Sequence, residues 1–165
     1  MKETVDRFGR LDILVNNARV GRFAAIHELS PADWDQQIRT NLGGVFHCSR
    51  AAVPHLVDAG GWIVSIGSLA GRNAFAGGVA YNASKRGLIG MSEAMMLDLG
   101  HEGVRVSCVI PGSVNTHLFA DGPDPEAFWR LDPEDVAQAV LNLPDFPVRA
   151  LPGRIELRPS QPPKK

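Results

Sequence analysis

Residues able to carry chemistry are scarce in this sequence. Tyrosine occurs once, at Tyr81, and lysine four times, at Lys2, Lys85, Lys164 and Lys165, against thirteen arginines. The two cysteines, Cys48 and Cys108, sit within apolar stretches. That argues against a disulfide-stapled framework and for reduced core thiols in a cytoplasmic protein. No apolar run approaches the roughly 20 residues needed to cross a membrane as a helix, and Met1 leads into a charged segment instead of a signal-peptide core. Net charge is −1, with arginines dispersed among carboxylates. The basic stripe required for phosphate-backbone binding is missing, so nucleic acid is not an expected partner. His27, His47, His55, His101 and His117 fall at no metal-ligand spacing with cysteines or acids, which leaves no expected metal.

What is present is a hydrophobic content of 44% over 165 residues, enough for one domain with a packed core. The domain is expected over residues 1–158, followed by a disordered polar tail at 159–165. A short helix at 2–8 is closed by Gly9. The apolar run at 11–15 has the composition of a strand buried on both faces, 62–66 and 104–110 read as the second and third strands, and 154–157 as the last. Between them lie helical patterns. Ser30, Pro31 and Asp33 form a helix start, and Trp34, Ile38, Leu42, Val45, Phe46, Ser49, Val53 and Leu56 continue at helical spacing until Gly60-Gly61. A second long helix begins near Tyr81 and passes through Leu88, Met91, Met95 and Leu99. A third runs from Pro133 to about residue 143. The loop at 116–130 carries Asp121-Gly122-Pro123-Asp124-Pro125 at its centre and Leu118, Phe119, Phe128 and Trp129 at its flanks, more in keeping with ordinary packing than with a lid. Strands alternating with helices predict parallel strands joined by right-handed crossovers, an open α/β sheet.

The chemistry points to one helical turn. Tyr81 and Lys85 are four residues apart and share a helix face. To titrate near neutrality, a phenol of reference pKa about 10 must gain roughly 4 kcal/mol in favour of its phenolate. An ammonium about 4 Å away, at an effective dielectric of about 20, supplies an amount of that order. In an open α/β sheet, ligands bind beyond the carboxyl ends of the strands. Asn16-Asn17-Ala18, Gly67-Ser68 and Pro111-Gly112-Ser113-Val114-Asn115-Thr116 follow the first three strands, so all three polar turns are expected on one sheet edge. Ser68 with Tyr81 and Lys85 there could polarise a carbonyl and protonate the developing alkoxide. Taken singly, Ser68 also fits a turn cap, Asn41 a polar interruption of a helix, and Asn16-Asn17 a strand-end turn without a ligand.

In order and spacing, these residues resemble the short-chain dehydrogenase/reductases, over nearly the whole chain. Asn16-Asn17-Ala18 is similar to that family's Asn-Asn-Ala-Gly turn, Asn41 falls at its catalytic asparagine, and Ser68, Tyr81 and Lys85 match its serine, tyrosine and lysine. Pro111-Gly112, with Val114 and Thr116, resembles its nicotinamide-side turn. The resemblance implies a Rossmann-like sheet with flanking helices and NAD or NADP as cofactor, held by Asn16, Ala18, Tyr81, Lys85, Pro111, Gly112, Val114 and Thr116. It also implies a small-molecule alcohol or carbonyl substrate, and homo-oligomers formed through the two long helices. Tyr81 would exchange a proton with the substrate oxygen and Ser68 would hydrogen-bond that oxygen. Lys85 would hold the nicotinamide ribose and lower the pKa of Tyr81, and Asn41 would bind a water of the proton relay.

The sequence departs from the family at two places. The Gly-x-x-x-Gly-x-Gly turn that cradles the cofactor phosphates is absent. By resemblance the chain begins near the family's fourth strand, as a partial fold from an internal or misassigned start, with the strand at 11–15 left as an apolar edge. Arg19 stands in place of the family's glycine, where it is expected to crowd the ribose side of the cofactor. Two readings follow: an oxidoreductase of this type, or a catalytically inactive remnant acting only by subunit association.

Overall fold

The computed structural model describes residues 1–118 and 122–162. Phe119 and Asp121 of the long loop, and the last three residues of the tail, lie outside them.

Four strands, β1 (Ile13–Asn16), β2 (Trp62–Ile66), β3 (Arg105–Pro111) and β4 (Arg154–Leu157), form one sheet in the order β1-β2-β3-β4, every pair parallel. Parallel neighbours need long crossovers, and helices supply them. The first, between β1 and β2, runs through α2 (Pro31–Ile38), a π-helical turn (Arg39–Gly43) and α3 (Gly44–Ala59). The second is α4 (Val79–Leu99), and the third contains α5 (Pro133–Leu141). A short α1 (Lys2–Phe8) precedes β1 and ends at Gly9, whose φ of 80° is the left-handed cap expected of glycine. Ser30 caps α2 by accepting from the Asp33 N–H, as its sequence position predicts.

Helices cover both faces of the sheet. On one, Leu11, Ile63, Val104 and Val106 pack with Ala52 and Leu56 of α3, and Ile89 of α4 packs with Cys108 and Ile110. On the other, Trp62, Val64, Ile66 and Val109 pack with Leu143 and with Val136 and Val140 of α5. The central strands are continuous apolar runs because both faces are covered. β1 differs. Ile13 and Val15, in register with Trp62 and Val64 and so on the same face, are exposed at the open edge of the sheet. Of the two cysteines expected in the core, Cys108 is buried but Cys48 is exposed, because it faces outward from α3 between the buried Val45 and Ser49. No described helix is long and apolar enough to cross a membrane.

Candidate functional site

The carboxyl ends of the four strands open into a cleft of about 1170 Å³, large for a small-molecule site. Asn17, Ser68, Tyr81, Pro111, Gly112, Val114 and Thr116 line it, so the polar turns that the sequence placed on one edge do converge.

Tyr81 enters from the first turn of α4. Its ring meets Phe23 edge-on at 5.6 Å between centroids, and Phe23 in turn packs against Phe75 at 5.8 Å. Ser68 follows β2, where its hydroxyl caps the short turn Leu69–Gly71 by accepting from the Ala70 N–H at 3.2 Å, and it lines the cleft together with Tyr81. Gly71 permits a close approach: a Cβ there would lie 2.7 Å from the Lys85 carbonyl oxygen, so only glycine lets the turn rest directly on α4.

Lys85, one helical turn beyond Tyr81, is 2% exposed, and its Nζ donates to the Ile66 carbonyl at 2.7 Å, lying 5.9 Å from the centre of the tyrosine ring. Burial, with Arg19 adding to it, pushes the pKa of Lys85 down to about 8. The expectation that Lys85 alone lowers the phenol's pKa is corrected here. Burial raises Tyr81 above the ordinary phenol value, and the opposing pull comes from the Ser68 hydroxyl and the Arg19 charge. The physical reason is that the ammonium is itself desolvated and directed at the end of β2.

Asn41 occupies the π-helical turn between α2 and α3, the kind of helix irregularity often found at functional sites. Its buried amide accepts from the Val20 N–H at 2.8 Å and donates to the Val20 carbonyl at 2.9 Å and to Ser84 Oγ at 3.1 Å. Ser84 in turn donates to the Tyr81 carbonyl. Gln37, four residues earlier and fully buried, holds Arg22 in the same way through its N–H and carbonyl. Two amides one turn apart therefore clamp alternate residues of the 20–22 segment beside Tyr81. Sequence reading missed Gln37; a glutamine in step with the apolar positions of α2 was its only signal.

Of the remaining expected contacts, Asn16 is buried, donating from Nδ2 to Ser49 Oγ at 3.1 Å, and neither it nor Ala18 lines the cleft. Leu118 and Trp129 do line it, while the neighbouring Phe128 is 92% exposed. Phe23, Arg158, Pro159 and Pro162 also line the cleft, none of them marked by the sequence. A nicotinamide dinucleotide fits these residues at one end. The Thr116 hydroxyl, the Pro111-Gly112 turn and Ser68 offer donors and close backbone approach, but no glycine-rich turn at a helix start is available for a pyrophosphate. Among the described residues no group of histidine, cysteine and carboxylate side chains is arranged to hold a metal ion.

Comparison with known proteins shows the family and the fold. A family model described as short chain dehydrogenase matches residues 1–126. A subunit of (2S)-[(R)-hydroxy(phenyl)methyl]succinyl-CoA dehydrogenase from Thauera aromatica is 39% identical over 155 residues, covering 88% of this chain and 62% of the relative. A 3-oxoacyl-[acyl-carrier-protein] reductase from Thermotoga maritima is 34% identical, covering 87% and 62%. Among solved structures, an alcohol dehydrogenase from Thermococcus sibiricus complexed with 5-hydroxy-NADP superposes with a TM-score of 0.90 at 27% identity, covering 99% of this chain and 70% of that one. Carveol dehydrogenase from Mycobacterium avium, in complex with NAD, gives 0.84 at 30% identity, covering 95% and 67%. The chain thus spans about 62% of the length of the first two relatives. The chain belongs to the short chain dehydrogenase family.

Proposed function

We propose that this chain carries the proton-transfer centre of an NAD(P)-dependent oxidoreductase that interconverts a small carbonyl compound and its secondary alcohol. The observation that carries the reading is that Ser68 and Tyr81 both line a cleft lying beyond the strand ends, close enough for the serine to pull the phenol's pKa downward. With a carbonyl oxygen placed between them, Ser68 donates a hydrogen bond that stabilises the developing negative charge. Tyr81 gives its proton to the same oxygen, and in the oxidative direction the phenolate takes it back. Lys85, buried behind the cleft lining with its Nζ on the Ile66 carbonyl at the end of β2, provides a positive charge one helical turn from the phenol. Asn41 keeps the 20–22 segment and, through Ser84, the first turn of α4 in place. Pro111, Gly112, Val114 and Thr116 hold the nicotinamide end of NAD or NADP, while Asn16 and Ala18, which do not line the cleft, shape the end of β1 and the turn after it. When bound, that cofactor supplies the hydride. In the same reading, copies of the chain associate through α3 and α4, whose Phe46 and Leu97 are exposed.

The test is reduction of a panel of small ketones followed by the absorbance of the reduced cofactor, for wild type and Tyr81→Phe. It is run on the chain alone and on the chain fused behind the amino-terminal part of the Thermotoga maritima reductase. Turnover that collapses in Tyr81→Phe supports the reading. Undiminished turnover in that variant overturns it, since the sequence holds no second tyrosine.

A further inference from the structure

The cleft has a charge bias that proton transfer does not use. Among the described residues, three arginines and a histidine line it and no aspartate or glutamate does. Two of the arginines are occupied: Arg158 is paired with Glu156 at 3.0 Å, and Arg130 lies over the Trp129 ring at 5.5 Å. Arg19 is different. It is half-buried, its Nη2 donates to Thr116 Oγ1 at 3.0 Å, and it forms no ion pair with a described carboxylate. A half-buried guanidinium whose partner among the described residues is a neutral hydroxyl has lost hydration without gaining a counter-charge there, and its planar fork is shaped for a carboxylate.

We propose that Arg19 is a substrate-specificity residue, and that the substrate is an anionic one, an oxo acid or hydroxy acid whose carboxylate pairs with the guanidinium while its carbonyl or hydroxyl meets Ser68 and Tyr81. This rests on the oxidoreductase reading above and deepens it. The position of Arg19 argues for a substrate anion over the cofactor's phosphates. Its hydrogen bond to Thr116 carries it across the cleft from the β1 turn to the β3 turn, and its charge is felt at both the Tyr81 phenol and the Lys85 amine. In a nicotinamide dinucleotide the phosphates are a ribose away from the reacting ring, whereas Arg19 sits at the reacting end. The amide clamp of Asn41 and Gln37 on Val20 and Arg22 fixes the segment that presents it, as a preorganised binding group requires.

The test titrates the purified chain with acetoacetate and with its neutral isostere acetoacetamide, followed by tryptophan fluorescence, since Trp129 lines the cleft. Pyruvate and levulinate, each against its amide, place the carboxylate one carbon nearer and one farther. At least one acid should bind about tenfold tighter than its amide, the scale of a hydrogen bond to a charged group. Arg19→Gln should erase that preference and Arg19→Lys should keep part of it. Equal binding of acid and amide in all three wild-type pairs overturns the proposal, and this comparison needs no variant to fold. An unchanged preference in Arg19→Gln overturns it too. So does a defect in Arg19→Gln confined to ADP, the diphosphate half of the cofactor, which would assign Arg19 to the dinucleotide. Binding and turnover separate the two readings. An acid preference in a chain that reduces none of the compounds supports the anion site and counts against the oxidoreductase. Reduction of amides as fast as acids does the reverse.

Discussion

Val15 and Val64 are register partners on adjacent strands and face the same side of the sheet, yet Val15 is 45% exposed and Val64 is 1% exposed. The difference is one of neighbours, not of residue type. β2 and β3 have strands on both sides and helices on both faces, whereas among the described residues β1 has one strand partner and leaves Ile13 and Val15 exposed. The proposed chemistry follows the well-supported region. Ser68 leaves β2, Tyr81 and Lys85 ride on α4 over β3, and Thr116 follows β3. The groups that demand accurate placement therefore stand on elements whose positions are fixed by packing, the condition for a preorganised site. The β1 end contributes Arg19 through a loop that two buried amides must clamp instead.

The largest expected effect tests the central region. Tyr81→Phe keeps the ring against Phe23 and removes only the hydroxyl, so carbonyl reduction should fall by about a hundredfold or more, the usual range for a lost general acid. Lys85→Arg should also impair reduction although the charge is kept, because the site that holds the amine on the Ile66 carbonyl is almost fully enclosed and a guanidinium is broader. Measuring kcat/KM together with thermal unfolding separates chemistry from folding. If both variants keep wild-type rates, the central pair is no more than a helix-packing contact.

A second test uses pH. Lys85 sits near 8 in the folded chain against an ordinary 10.5, so between those values the unfolded chain holds a proton that the native one does not. Stability must then rise with pH across that window, by about 3 kcal/mol in total. Below pH 8 the full cost of keeping the buried amine charged is present. Tyr81, shifted upward by burial, acts in the opposite sense above its ordinary value of 10.0, where the unfolded phenol ionises first. Thermal unfolding from pH 7 to 10 should therefore show a rising limb in wild type that is missing from Lys85→Met. Parallel curves would mean that the amine is better solvated than its enclosure implies.

How much of this was legible in the sequence follows the same division. The extents of β2 and β4, the caps of α1 and α2 and the order of the polar turns could be read because each depends on local composition: short segments rich in isoleucine, valine and leucine between glycines and prolines, a left-handed glycine, a serine before a proline. The convergence of Ser68 and Tyr81 on one cleft was legible because position after β2 and at the start of α4 carries it; that Lys85 turns away to the Ile66 carbonyl was not. What could not be read depends on burial and on distant partners. The direction of the Tyr81 shift is set by desolvation and by Arg19, 62 positions away in the chain. The break of the first long helical pattern into α2, a π-helical turn and α3 arises where Asn41 must reach both Val20 and Ser84. The exposure of Cys48 likewise follows from which face of α3 the sheet covers.

A smaller effect compares the two register partners directly. Val64→Ala removes apolar surface from a sealed core and should cost about 2 kcal/mol, while Val15→Ala should cost well under about 1 kcal/mol, since much of that side chain already meets water. Urea unfolding of the two variants with unchanged slopes would give the comparison without a change in the denatured state. Equal losses would show that β1 is covered in solution by something that seals it as fully as β2.

The smallest change in folding free energy, with the plainest change in behaviour, is expected at Ile13. It lies on the open edge, 41% exposed, outside the cleft, and beside Trp62, which is itself shielded by its hydrogen bond to Ser107 and by the Arg105 guanidinium over its ring. An unpaired parallel edge with apolar side chains is a template for another strand, so the wild-type chain should associate as its concentration rises. Ile13→Lys puts a charge where an incoming strand would have to bury it. It should shift the unfolding free energy by no more than about 0.5 kcal/mol, as surface substitutions do, yet displace the association to higher concentration. Sedimentation velocity over a concentration series reads this directly. If both proteins remain monomeric across the series, the edge is not sticky. If both associate equally, the contact lies elsewhere, and Phe46 of α3 with Leu97 of α4, exposed on the long helices, becomes the surface to alter next.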